Sequence, residues 1–141
     1  MKRTVTVESI APSHSDERGV ITDLLNRNIS HVGLITTAKG AVRGSHYHLK
    51  SVQYSYVLSG SFEVLTASVK SPRRVTRHEV KAGELISIAP CTLHRFTALS
   101  ETLMVDMISE SREGGAYEKD VIRVPFEDGA FVPPTRSHKN T

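Results

Sequence analysis

Apolar and polar residues alternate in short runs along most of this chain, and no window of a dozen residues carries a convincing helical stripe. Period-two runs rich in Val, Ile, Thr and aromatic residues predict half-buried strands. They fall at residues 5–10, 20–25, 31–37, 41–48, 52–58, 62–69, 75–80, 84–89, 94–98 and 102–108. Between them stand Asp16-Glu17-Arg18-Gly19, Ala38-Lys39-Gly40, Ser59-Gly60-Ser61 and Lys81-Ala82-Gly83, each with a glycine where positive φ costs little. Lys70-Ser71-Pro72-Arg73-Arg74 reads as an exposed loop. Many short, evenly spaced strands with Gly-containing turns argue for an all-β barrel or sandwich. After Ser109 the pattern fades: 111–120 is polar, 121–124 predicts one more strand, and Pro133-Pro134 opens a polar tail. The expected division is a β-barrel domain over 1–124 and a C-terminal extension over 125–141, partly mobile.

Composition narrows the class. Of 141 residues, 38% are hydrophobic and 23% charged, which excludes collagen-like and disordered chains. The single cysteine, Cys91, excludes an internal disulfide and points to a reducing compartment. The segment from Met1 to Ile10 is too short and polar for a signal peptide, and no apolar run reaches membrane-spanning length. A cytoplasmic protein without membrane contact is expected. The net charge of +3 permits an anionic small substrate but is too weak and dispersed to argue for nucleic acid, and no nucleic-acid partner is expected.

Seven histidines are the unusual feature. His46 and His48 lie two apart, so on a strand both imidazoles face the same way. Gln53 opens the next strand within reach of them, and Pro90-x3-His94 places a third histidine some 40 residues on. Two chemistries suit this set. His46, His48, His94 and the Gln53 amide could ligate a divalent transition metal such as Fe, Ni or Zn. Alternatively, a histidine could remove a proton α to a ketone, with Arg43 and Gln53 as donors to the developing oxyanion.

The run G-x5-H-x-H-x4-Q-x6-G from Gly40 to Gly60 resembles the first motif of the cupin superfamily, with Gln53 where metal-binding cupins place Glu. Gly83 to His94 resembles a shortened second motif, without its usual glycine and with Ala98 in place of Asn. The resemblance implies a single-domain jelly-roll barrel (a double-stranded β-helix), typically a homodimer. Arg43-Gly44-Ser45-His46 is similar to the R-G-x-H signature of dTDP-4-keto-6-deoxyhexose 3,5-epimerases and, more closely, of dTDP-4-keto-6-deoxyglucose 3,4-ketoisomerases. The Asp16–Gly19 turn fits the latter, and Tyr117-Glu118-Lys119-Asp120 followed by Arg123-Val124 resembles cupins of sugar-biosynthesis clusters. This implies a nucleotide-sugar isomerase or epimerase in which Arg43 contacts the keto-sugar or its phosphates and His46 or His48 moves the proton. The epimerases' Asp partner for that histidine, and their downstream Tyr, have no assigned position here. A metal-dependent dioxygenase or lyase and a non-catalytic small-molecule binder remain the alternatives.

Other residues complete the expectations. Tyr47 is a candidate substrate contact, although Tyr47 and Tyr54 also suit packing. Asp106, mid-strand among apolar residues, either faces the barrel interior, orienting a histidine and touching substrate, or lies outside. Cys91 is expected to be a small packing residue near the pocket mouth, since no neighbour marks a base that would activate it. His14, His31, His78 and His138 are expected at the solvated surface. With Gln53, Ser55 and Val57 inward, Tyr54, Tyr56 and Leu58 form an outward apolar stripe that a second subunit should cover.

Overall fold

The computed structural model describes residues 3–134. Two five-stranded antiparallel sheets carry the architecture. The first has the spatial order β1 (Val5–Ser9), β9 (Glu84–Ile88), β6 (Gln53–Ser59), β11 (Thr102–Ile108), β4 (His31–Thr37). The second runs β12 (Val121–Arg123), β5 (Val42–His48), β10 (Thr92–Ala98), β7 (Ser61–Ser68), β8 (Thr76–Lys81). From β4 to β7 and from β8 to β12 each strand passes to the opposite sheet, the winding of a jelly roll. Alternation explains the layers: Val57, Phe62, Val64, Val80, Ile86, Ile88, Phe96, Ala98 and Met104 point between the sheets and form the core. Phe62 and Phe96 meet edge to face at 5.5 Å. No helix among the described residues is long and apolar enough to cross a membrane.

Gly60 joins β6 to β7 at φ +82°, and a Cβ there would collide with the Glu101 carbonyl oxygen. Only glycine suits this turn. The chain expected to run as a strand over 20–25 pairs only as β3 (Gly19–Ile21), against β2 (His14–Asp16). Asp16 closes that turn by accepting from the Arg18 amide at 2.9 Å, and the Asp23 amide then donates to Ser13 Oγ, which ends the ladder. Residues 111–120 form a 3-10 turn (Glu113–Gly115) and a single helical turn, α1 (Ala116–Asp120).

The extension beyond 124 is partly structured. β13 (Phe126–Glu127) and β14 (Ala130–Phe131) form a hairpin through Asp128 and Gly129, both at positive φ. It folds onto the outer face of the second sheet, where Phe131 and Val124 are buried with Ala67 and Leu93, and Arg95 stacks on Phe126. The remainder of the extension, 135–141 with His138, lies outside the described residues.

Candidate active site

A cavity of about 410 Å³ opens between the sheets. Ile35, Phe96 and Met104 give it an apolar wall; His46, His48, His94, Gln53, Asp106 and three arginines supply the polar groups. β5 and β10 bring the histidines together. His46 and His94 are cross-strand partners with ring centroids 4.7 Å apart, and His48 stands 5.0 Å from His46 and 5.5 Å from His94.

A bulge in β5 sets this arrangement. His46 pairs with His94 and Gly44 with Arg95, leaving Ser45 as an extra residue. Gly44 and Ser45 both take positive φ, and a Cβ on Gly44 would sit only 3.0 Å from the His94 carbonyl oxygen. Strict alternation would put Arg43, three residues before His46, on the opposite face. The extra residue returns it to the cavity wall beside the histidines. Arg43 donates to Thr37 Oγ1 (2.8 Å) and the Thr36 carbonyl (2.7 Å), both uncharged, so its positive charge remains available to a ligand.

Each histidine's state follows from its partners. Asp120 Oδ2 accepts from His48 Nδ1 at 3.2 Å, which leaves Nε2 as the lone-pair nitrogen. Asp120 also accepts from Ser51 Oγ at 2.5 Å and the Lys50 amide at 2.7 Å. Burial raises the Asp120 pKa, but these bonds and His48 outweigh it and hold the carboxyl below its ordinary value. His94 Nδ1 donates to the Thr92 carbonyl at 3.0 Å, again leaving Nε2 open. The Nε2 atoms of His48 and His94 are buried without protein partners. Burial lowers all three histidines: His46 to about 4, helped by His48, Arg123 and Arg112, and His94 to about 3, helped by His46. His48 also falls, because burial exceeds the opposing pull of Asp120. Three neutral imidazoles with ligand atoms within 4.8 Å of one another result.

The remaining candidates divide. Gln53 lines the cavity and donates through Nε2 to Ser55 Oγ at 3.0 Å, and Ser55 donates to Asp106 Oδ1 at 2.8 Å. Asp106 faces inward but touches no histidine; its other oxygen meets Arg112 Nη2 at 3.4 Å. The orienting carboxylate is Asp120 instead. Tyr47 points away from the cavity and packs against the cluster under the β13–β14 hairpin, because it alternates with His46 and His48. It is not among the residues that line the cavity. Cys91 is exposed at φ +58° rather than packed. His31 is half-buried on the inward face of β4, not solvated, with its Nδ1 atom buried. His78 is half-buried too, 3.0 Å from Thr66 Oγ1, whereas His14 is exposed beside Asp16.

Sequence reasoning missed Tyr117, Asp120, Arg112 and Arg123 as members of the site. Tyr117 lines the cavity with its ring 6.2 Å from that of His48. Arg123 also lines it and pairs with Glu118 through two 2.9 Å bonds. The available signal was the spacing of Tyr117 and Asp120: three residues apart, they share one face of a helical turn.

Two five-stranded antiparallel sheets around a histidine-lined cavity define a jelly roll of the cupin type. Within that class, residues 14–118 match the family described as polysaccharide biosynthesis C-terminal domain, and the chain belongs to it. No curated protein matches the sequence. Among solved structures, the chain is similar to a sugar 3,4-ketoisomerase from Thermoanaerobacterium thermosaccharolyticum in complex with TDP: 22% identity, TM-score 0.70, 87% of this chain and 90% of that one covered. It is also similar to dTDP-4-dehydrorhamnose 3,5-epimerase from Sulfolobus tokodaii, at 18% identity and TM-score 0.69, with 89% and 80% covered. A third is a 3'-monoepimerase from Streptomyces bikiniensis in complex with dTDP-quinovose, at 19% and 0.67, with 80% and 67% covered. These likenesses show the shared fold.

Proposed function

We propose that this chain is a sugar-nucleotide isomerase or epimerase acting α to the ketone of a dTDP-linked 4-keto-6-deoxy sugar. One observation carries the reading: His48, fixed by Asp120 through Nδ1, presents an unpartnered Nε2 to a cavity that arginines make positive. Nε2 takes the hydrogen α to the ketone as a proton. The C–H electron pair forms the carbon–carbon double bond, and the carbonyl π pair moves onto oxygen as an enediolate. Tyr117, beside His48, returns a proton to carbon and is reprotonated at the end of the cycle. Proton return to the former carbonyl carbon, with the neighbouring hydroxyl proton passing to the former carbonyl oxygen, shifts the ketone; return to the original carbon from the other face inverts it. Arg43 receives the diphosphate, since no carboxylate neutralises it, and the apolar wall of Ile35, Phe96 and Met104 suits the deoxy sugar's methyl group. The solved structures of similar fold that act on or bind such nucleotides support this substrate class. Incubation with dTDP-4-keto-6-deoxyglucose in D2O should place deuterium on a carbon next to the ketone. No uptake across several 4-keto-6-deoxy sugar nucleotides, with dTDP still bound, would replace the enzyme by a binding protein.

A second reading rests on the histidine cluster itself. The open Nε2 atoms of His48 and His94, with His46 beside them, fit a transition-metal ion, and Gln53 could add an oxygen. When bound, such a metal would supply Lewis-acid polarisation of the ketone. Stoichiometric Fe, Ni or Zn in protein purified without affinity chelators, lost in His94→Ala, would support it; metal-free protein with full activity would exclude it.

We also infer a homodimer, with the outer face of the first sheet turned toward a second copy. The apolar positions on that face are its support.

A further inference from the structure

Asp106 is an acid in the middle of β11, with Leu103, Met104, Val105, Met107 and Ile108 as its strand neighbours, and it is only 3% exposed. Burying a carboxylate is expensive, and a buried ion pair seldom makes a fold more stable than an apolar pair of the same size. Its presence needs another reason. One oxygen is fixed by Ser55, which Gln53 holds in turn; the other meets Arg112 Nη2 at 3.4 Å. The same guanidinium lies over the Tyr117 ring, with Cζ 4.4 Å from its centroid. A continuous line therefore runs from the first sheet, through Gln53, Ser55, Asp106 and Arg112, to Tyr117 on α1.

α1 has five residues, too few to hold its shape unaided. Two tethers fix it over the cavity: Asp120, bonded to Ser51, Lys50 and His48, and Tyr117, stacked under Arg112. The first sets the direction of the histidine base. The second sets the position of the tyrosine relative to it.

We infer that the Asp106–Arg112 pair is a positioning device that holds the Tyr117 ring beside His48, so that proton return, rather than proton removal, depends on it. The kinetic part rests on the proposed isomerase reading; the placement of the ring does not. The experiment uses full-length protein carrying ring-13C tyrosine, with Tyr117 assigned through Tyr117→Phe. In Arg112→Gln and Asp106→Asn, the Tyr117 ring resonances should shift and broaden, while those of Tyr47, Tyr54 and Tyr56 stay in place. Arg112→Lys keeps a cation over the ring and should restore positions near wild type. With dTDP-4-keto-6-deoxyglucose, substrate hydrogen exchange in the Gln and Asn variants should stay within ~3-fold of wild type. Product formation should fall ~10–100-fold, the usual effect of misplacing a reacting group by an ångström or less. Unmoved Tyr117 resonances in Arg112→Gln would overturn the inference, as would exchange and product formation falling together. A wild-type protein that neither exchanges nor converts keto-sugar nucleotides would end the isomerase reading alone, because the resonances still decide the placement of Tyr117.

Discussion

Asp120 determines what His48 can do. An imidazole has two nitrogens, and the one that carries the proton is set by the bond the other makes. Because Asp120 is held as a carboxylate by Ser51 and the Lys50 amide, it accepts from Nδ1 and leaves Nε2 basic. An asparagine fills the same space but has a side-chain amide that can also donate, so it stabilises neither the tautomer nor the imidazolium formed on proton removal. Asp120→Asn should therefore lower deuterium uptake into a keto-sugar nucleotide on the order of 10²–10⁴-fold. Binding of dTDP, measured by titration calorimetry, should stay close to wild type, since Arg43 is untouched. Uptake reduced less than tenfold would remove Asp120 from the chemistry. The histidines were legible in the sequence because a strand turns i and i+2 into a shared direction. Asp120 and Tyr117 were not, because they lie in a polar stretch whose single helical turn is too short to leave a hydrophobic period.

At the scale of elements, the strand pattern was readable where one face is buried and became unreliable where pairing is irregular. β6, β7, β10 and β11 match their expected spans closely, since their inward residues repeat every second position along a continuous core. The run expected over 20–25 has apolar residues but no large sheet to bury them, and only two of its residues, Val20 and Ile21, find ladder partners in β2. The bulge in β5 is the more consequential irregularity. Binary patterning cannot show it, because inserting Ser45 changes which face Arg43 occupies without changing the residue types; the Gly44-Ser45 pair inside a strand is its only trace. Gly44→Ala tests its importance. The added Cβ meets the His94 carbonyl at 3.0 Å in a conformation at φ +89° that side chains disfavour, a strain of about 1–3 kcal/mol. Chemical denaturation should show that loss, and dTDP affinity should fall as well if the bulge relaxes and Arg43 turns away from the cavity. A stability and affinity equal to wild type would mean that the backbone here is not held by the glycine.

At the scale of the whole molecule, the two sheets are finished differently. The outer face of the second is covered by the chain's own β13–β14 hairpin, which buries Phe131 against Leu93 and Ala67. On the outer face of the first sheet, several apolar residues stay exposed instead. Across its strands, Leu34, Val105 and Tyr56 stand in one cross-strand row and Val32, Met107 and Tyr54 in another. Leu34 is 72% exposed, Val32 64% and Leu58 45%, so the rows form an apolar surface rather than scattered single residues. A second copy of the chain offers the same rows and can meet them about a twofold axis, the commonest symmetry of soluble oligomers. The native mass from gel filtration with light scattering should accordingly be twice that of one chain. Leu34→Arg separates this face from any other: in the lone chain the side chain is solvated, so the substitution should leave the fold intact, with thermal unfolding of the monomer still cooperative. In the dimer it would bring an arginine into an apolar contact, with its symmetry mate also introduced across the axis, and the mass should fall to that of one chain. A wild-type monomer would refute the pairing, and a Leu34→Arg protein that stays dimeric would place the contact on another surface.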